Sequence, residues 1–313
     1  MAHTGEQPVV LITGHGGFSG RHLIDCLGSL DRSPRIVGLD LAQSDTLPVE
    51  RQIVGDLAET KTLRAVLAER RPDVVIHLAG LMPPASAAEM WAVNVGGTFT
   101  LLEALRAEDL SPRVVVIGSA AECGVQKALP TTEDAVCRPT TDYGRTKLAQ
   151  TMLCQRYVAD FGLPVMIARP FNLFGPGMGP RTVIGELCTQ IAHEPADRTV
   201  RLGNLTSARD FIDIRDAVAA YWTIARHGVP GEVYNVCRGE AVKIAEVVDS
   251  LFATLDEPYR VLSEANRLQE GDVDASCGDP TRLASLPDAP RPRSLRNSLA
   301  DTLSWFRARI RRS

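Results

Sequence analysis

Val9-Val10-Leu11-Ile12-Thr13-Gly14-His15-Gly16-Gly17-Phe18-Ser19-Gly20 decides the fold: a short apolar run passes straight into glycines spaced GxxGxxG and then into a helical pattern. The spacing reads as a dinucleotide-binding turn. Gly14 lets the chain reverse tightly after the strand, Gly17 leaves bare backbone for a pyrophosphate, and Gly20 lets the helix lie close on the sheet. Free amides and the positive helix end then face the phosphates. Three glycines alone fit a plain strand-turn-helix as well, so the remaining chain has to decide.

Outward from this turn, apolar runs at Arg35 to Leu39, Val74 to Leu78, Arg113 to Gly118 and Val165 to Arg169 alternate with helical patterns. Such alternation predicts an α/β fold with a doubly wound parallel sheet covered on both faces. Its ligand belongs beyond the carboxyl ends of the strands, where the winding reverses. At Pro170 the texture changes to a glycine- and proline-rich loop, Phe174 to Pro180, followed by helical patterns at Val183 to Ala192, Asp213 to Arg226 and Ile244 to Leu255, and a strand at Glu232 to Val236. Residues 1–169 therefore read as a dinucleotide domain. Residues 170–313 read as a smaller C-terminal α/β substrate region that partly returns to the sheet and closes over the nucleotide end. Ala284 to Arg293 is proline-rich and reads as a surface loop.

The 313 residues carry a net charge of −4 and 44% hydrophobic side chains, which gives no electrostatic reason to expect nucleic acid or an anionic membrane as partner. Seven cysteines, Cys26, Cys123, Cys137, Cys154, Cys188, Cys237 and Cys277, include no CxxC pair, which argues against a disulfide framework and against a zinc site. They read as reduced thiols. No N-terminal apolar core follows a basic segment and no run reaches membrane-span length, so the expected location is cytoplasmic. The basic run Arg307 to Arg312 reads as a solvated helix end.

Tyr143-Gly144-Arg145-Thr146-Lys147 places a phenol and an ammonium on one face of a helix. A cation there favours the phenolate and would make the tyrosine a usable acid or base at neutral pH. Ser119 follows the apolar strand Val114 to Ile117, where its hydroxyl can hydrogen-bond a substrate carbonyl. Asp40 ends the second strand 20 residues beyond Gly20, where a carboxylate accepts from both adenosine ribose hydroxyls and repels a 2′-phosphate.

These residues and their order resemble the extended short-chain dehydrogenase/reductases, the NAD-dependent epimerases and dehydratases of nucleotide sugars. Thr13 to Gly20 is similar to the family's TGxxGFxG turn, Asp56-Leu57 to its adenine contact, and His77-Leu78-Ala79-Gly80 to its HLAA segment beside the cofactor. Asn94-Val95-Gly96-Gly97-Thr98 matches NVxGT, Tyr143 and Lys147 match YxxxK, and Arg169-Pro170-Phe171-Asn172 matches RPFN. The resemblance implies a Rossmann fold, catalytic Ser119, Tyr143 and Lys147, and a cofactor-binding role for Lys147 as well. It implies NAD(H), favoured here by Asp40, with NADP(H) left open because reductases of this kind often use NADPH. Within the family, Gly203-Asn204-Leu205, the run Arg209 to Asp216 and Gly231 to Val236 resemble the GDP-4-keto-6-deoxy-D-mannose reductase group. That likeness implies substrate contacts from Asn172, Arg209 and Arg267, the arginines gripping a sugar-nucleotide diphosphate. Arg209 and Asp210 could otherwise pair on the surface; Asp213 and Asp216 read first as helix-start and capping residues.

The fold alone does not choose a reaction. Related 4,6-dehydratases place acids directly after the serine, whereas this chain has Ala120 and Ala121, with Glu122 one step further on. The expected activity is oxidoreductase chemistry of deoxysugar biosynthesis, a nucleotide-sugar 4-ketoreductase with GDP favoured over dTDP. The alternative is a 4-epimerase that retains NAD, and a non-catalytic dinucleotide sensor is the rival from another class. By analogy, helices starting near Ala88 and Tyr143 would pair across a homodimer, with Met152 and Tyr157 as contacts or as core.

Overall fold

The computed structural model describes residues 7–264 and 274–311. In chain order the first half comprises β1 (Val9–Thr13), α1 (Phe18–Gly28), β2 (Arg35–Asp40), β3 (Gln52–Val54), α2 (Thr60–Arg70), β4 (Val74–His77), α3 (Ala87–Met90), α4 (Thr98–Ala107), β5 (Arg113–Ile117), α5 (Asp142–Phe161) and β6 (Val165–Pro170). There follow β7 (Asn172–Phe174), α6 (Val183–Ala192), β8 (Thr199–Leu202), β9 (Ala208–Arg209), β10 (Phe211–Asp213), α7 (Ile214–His227) and β11 (Val233–Val236). The last elements are β12 (Val242–Lys243), α8 (Ile244–Phe252), β13 (Arg260–Ser263), β14 (Ala275–Ser276), α9 (Thr281–Ala284) and α10 (Leu295–Ile310).

Seven strands form a parallel sheet in the order β11-β6-β5-β4-β1-β2-β3. The winding reverses between β1 and β4, whose ends Thr13 and His77 are register partners, so the crevice opens beyond these two residues. All four residues of β4 and all six of β6 are buried, as a sheet covered on both faces requires. Alternation along the strands divides the core: Val10, Ile12, Val74, Ile76 and Met166 pack with α1 and α7, while Leu11, Val75, Val114, Val116 and Ile167 pack with α2, α4 and α5. A third cluster, including Leu187, Ile191, Leu251, Leu299 and Phe306, unites α6, α8 and α10.

The long predicted elements end within one residue of the expected positions, except that α8 stops at Phe252. β11 brings the chain back to the sheet edge beside β6. The two- to four-residue strands β3, β7 to β10 and β12 to β14 had no sequence expectation, because runs so short carry no periodicity. Between α3 and α4 the chain continues as a π-helical stretch, Trp91–Gly97. Ala284 closes α9, and Arg293, at the far end of the proline-rich segment, donates its backbone N–H to Asp216 at 2.7 Å. α10 ends with Arg307 and Arg309 in its last turn, against the negative pole, and Arg309 lies over the Trp305 ring. Among the described residues no helix is long and apolar enough to cross a membrane.

Candidate active site

Gly14 turns the chain at φ +72°, and a Cβ there would come within 2.8 Å of the Ala79 nitrogen, so β1 can pass this close to the segment after β4 only without a side chain. Gly17 caps α1 with no side-chain hydrogen bond, and no acid stands in the first turn. The amides of Phe18 and Ser19 and the positive helix end are therefore left to an anion, and a Cβ on Gly17 would meet only the Gly14 carbonyl oxygen. Gly20 works differently from expectation. A Cβ there would strike the His15 carbonyl oxygen at 2.4 Å, so it lets the helix pack on the turn, not on the sheet. Phe18 stacks edge-on against His22, whose Nε2–H donates to the Pro176 carbonyl at 2.7 Å; the glycine- and proline-rich loop is thereby fastened over the start of α1.

Asp40 accepts the Gly16 N–H at 2.9 Å through Oδ2 and the Leu41 N–H at 2.8 Å through Oδ1. Each oxygen keeps acceptor capacity at the rim of the turn, where a ribose diol contact belongs. Sequence reasoning missed His15 beneath it, fully buried in the space that Gly38 leaves and sharing a proton with Thr46 at 3.0 Å. Asp56 accepts the Ala58 N–H at 2.9 Å, and Leu57 is buried against Gly97.

At the end of β5, Ser119 begins a one-turn helix, its Oγ accepting the Ala121 N–H at 3.2 Å. Thr141 caps α5, and Gly144 allows that helix to dock on the serine turn: a Cβ there would lie 2.4 Å from the Ala121 carbonyl oxygen. Tyr143 is thus carried toward Ser119. Burial pushes the Tyr143 phenol above its ordinary range, the nearby Ser119 hydroxyl opposing it. Lys147 Nζ lies 6.0 Å from the Tyr143 ring centroid and donates to the Ile117 carbonyl at 2.9 Å and to Gln150 Oε1 at 3.0 Å. Desolvation brings Lys147 down to about 8, against the pull of Glu122.

A buried chain of hydrogen bonds continues behind Lys147. Gln150 Nε2 donates to Thr98 Oγ1 at 2.7 Å, and Thr98 donates to the Asn94 carbonyl at 2.7 Å. With that hydroxyl proton committed, His77 Nε2–H must donate to Thr98 at 3.0 Å, and His77 Nδ1 accepts from Thr13 at 2.7 Å. Burial lowers His77 to about 3, so it stays neutral. Asn94 pairs through its amide with both backbone groups of Leu81, at 2.7 and 2.9 Å. A Cβ on Gly80 would lie 3.0 Å from Asn94 Oδ1 and 3.3 Å from Lys147 Nζ, which brings Leu78, Ala79, Gly80, Asn94 and Lys147 to one wall of the crevice.

Glu122 points away from this wall. Its Oε1 accepts the Ser119 N–H at 2.7 Å; its Oε2 accepts from Thr151 at 3.0 Å and from Arg169 at 3.1 and 3.2 Å, both members of the ion pair being buried. Burial raises the Glu122 carboxyl above its ordinary range, against the pull of Arg169. The two alanines after Ser119 are therefore not backed by an acid aimed at the same place.

On the opposite side, Arg209 in β9 donates to the Ala208 carbonyl at 2.9 Å, and Asn172 Nδ2 donates to the Asp210 carbonyl at 3.0 Å. Asp210 is not a surface ion-pair partner of Arg209. It is fully buried and gathers the N–H groups of Arg238 at 2.8 Å, Gly239 at 2.9 Å and Gly278 at 3.3 Å. Asp213 caps α7 as expected, accepting the Arg215 N–H at 2.8 Å, and Asp216 stands in the first turn of the same helix, where it also pairs with Arg293. Arg267 lies outside the described residues. Of the helix residues weighed as dimer contacts, Met152 is 61% exposed, while Tyr157 is buried core with its hydroxyl on Glu103 at 2.7 Å.

A family model described as the NAD dependent epimerase/dehydratase family matches residues 10–237. The GDP-6-deoxy-D-mannose reductase of Pseudomonas aeruginosa is 32% identical over 96% of this chain and 98% of its own. A UDP-glucose 4-epimerase of Mycolicibacterium smegmatis is 27% identical over 95% and 98% of the two chains. Among solved structures, RMD from Pseudomonas aeruginosa complexed with NADPH superposes with a TM-score of 0.86 at 31% identity, covering 97% of this chain and 100% of that one.

Proposed function

Because the chain belongs to the NAD dependent epimerase/dehydratase family, enzymes that work with NAD(P), we propose that it is a nucleotide-sugar 4-ketoreductase acting on an NDP-4-keto-6-deoxyhexose, with GDP favoured. The observation that carries this reading is the docking of α5 on the serine turn through Gly144, which sets Tyr143 beside Ser119 with Lys147 behind them and alanines at the two positions after the serine. Residues 1–169 hold the dinucleotide; residues 170–313 hold most of the sugar nucleotide. The bare first turn of α1 takes the pyrophosphate and Asp40 the ribose, which favours NAD(H) over NADP(H).

Bound reduced nicotinamide supplies the hydride for the carbonyl carbon at position 4. Ser119 orients and polarises the carbonyl, and Tyr143 gives its proton to the developing oxyanion. Burial suits Tyr143 to this direction, since a phenol held above its usual range stays protonated until the oxyanion forms. Arg209, with Arg267, grips the diphosphate. Retention of a bound NAD would instead make the same groups a 4-epimerase, the activity for which the Mycolicibacterium smegmatis relative is named.

Purified protein mixed with NADH or NADPH and 4-keto-6-deoxy sugars on GDP or dTDP tests the reading, with absorbance at 340 nm and product NMR as readouts. Stoichiometric cofactor oxidation is expected, with Arg209→Ala raising KM for the sugar nucleotide. Isomerisation without net oxidation replaces this reading with the epimerase.

Lys147 gives a pH signature. Its ammonium, brought down to about 8, is charged at neutral pH and lost above that value, so kcat falls as pH rises through about 8. In Lys147→Arg, whose cation does not deprotonate in this range, that limb disappears from whatever activity remains; an unchanged limb assigns it elsewhere.

We also propose a cytoplasmic homodimer, testable by cell fractionation and sedimentation. Trp91, Phe99, Met152 and Phe161 are large apolar residues 44–61% exposed on the α3–α4 and α5 helices. Phe99→Glu is expected to shift sedimentation from dimer to monomer; a wild-type monomer sinks the proposal.

A further inference from the structure

We infer that Cys123 and Cys137 form a reversible oxidation site, a dithiol that closes to a disulfide when hydrogen peroxide reaches it. The two sulfurs are 3.8 Å apart although 14 residues separate them in sequence. Closing that gap to a bond of about 2.05 Å is a short movement. The two segments are already joined: Arg138 donates its N–H to the Cys123 carbonyl at 3.1 Å, Gly124 and Arg138 form a β-bridge, and Gln126 Nε2 spans the Cys123 and Val136 carbonyls at 2.5 and 3.1 Å.

The members differ in access. Cys123 is buried, while Cys137 is half-buried and so meets the oxidant first. The Cys123 hydrogen bond and Arg169 bring the Cys137 thiol down to about 7, although burial opposes them. A substantial thiolate fraction follows at neutral pH. The Cys137 thiolate attacks one peroxide oxygen, the O–O bond breaks, the leaving hydroxide takes a proton to become water, and Cys137 carries a sulfenic acid. The Cys123 sulfur then displaces that oxygen as a second water. Two thiols are oxidised by two electrons, and one peroxide is reduced to two waters.

Place gives the site its interest. Cys123 lies four residues after Ser119, beside Glu122, and Cys137 lies six residues before Tyr143. The bond would therefore join the serine turn covalently to the segment that delivers the tyrosine. It does not depend on which substrate the enzyme takes.

The test uses the full chain treated with hydrogen peroxide, then denatured for thiol titration and digested with trypsin for mass spectrometry without reductant. The expected titre falls from seven thiols to five and returns with dithiothreitol, with a linkage between the peptides 114–127 and 128–145. Cys137→Ser, at the more exposed position, is expected to hold its six thiols under the same treatment. A titre that stays at seven overturns the proposal, as does a linkage between other cysteines or between two chains. The wild-type peptide map decides even if the variant does not fold.

Discussion

Tyr143→Phe is expected to lower kcat by roughly 10²–10⁴-fold, the range for removing a positioned general acid. The change deletes one oxygen from a ring beside Ser119, while the Gly144 approach, the Thr141 cap and the Lys147 contacts remain. Dinucleotide binding, followed by quenching of intrinsic fluorescence, is expected to be unchanged, so the loss appears in kcat. A variant that kept more than a tenth of wild-type turnover would transfer the proton-donor role to another group.

Glu122→Ala has the larger effect on stability. It leaves the Arg169 guanidinium, 2% exposed, without its carboxylate, and such breakage of a buried pair costs about 3–5 kcal/mol. Melting is expected to drop by roughly 10 °C. The Ser119 N–H and the Thr151 hydroxyl lose their acceptors in the same step, so turnover falls with stability. The double variant Glu122→Met with Arg169→Met is expected to melt above Glu122→Ala, because no charge is then stranded. Equal melting of the single variant and wild type would show that the pair is not what holds the serine turn.

The sheet and the proposed reactive trio were legible because their signals are local. Val9 to Gly20 joins an apolar strand to a glycine turn, and Tyr143 to Lys147 lies within one helical turn. The supporting contacts were not legible. Glu122 meets Arg169 across 47 residues, Gln150 meets Thr98 across 52, and Asp210 reaches Gly278 across 68, distances over which no periodicity reports. The seven cysteines are free thiols, as expected, but their spacing gave no sign that the fold brings Cys123 to Cys137. The seat of the Lys147 ammonium was not legible for a related reason. Spacing puts Tyr143 and Lys147 on one face, but a backbone carbonyl of β5 decides where the ammonium goes.

The π-helical stretch Trp91–Gly97 bears on how this chain can diverge. A π-turn holds one residue more than an α-turn, so the segment behaves as a retained insertion within the helix that spans α3 to α4. Deleting one residue there would restore ordinary helical winding and leave α3 and α4 close to their present rotation, because the wider turn had already absorbed the extra residue. The change would fall inside the stretch, where Asn94 reaches Leu81 and Thr146 and Thr98, just beyond it, reaches His77 and Gln150: one residue fewer between them alters the angle at which the two side chains leave the helix. Substitutions in the stretch are thus open wherever side chains face solvent, whereas its length is tied to the angle between Asn94 and Thr98.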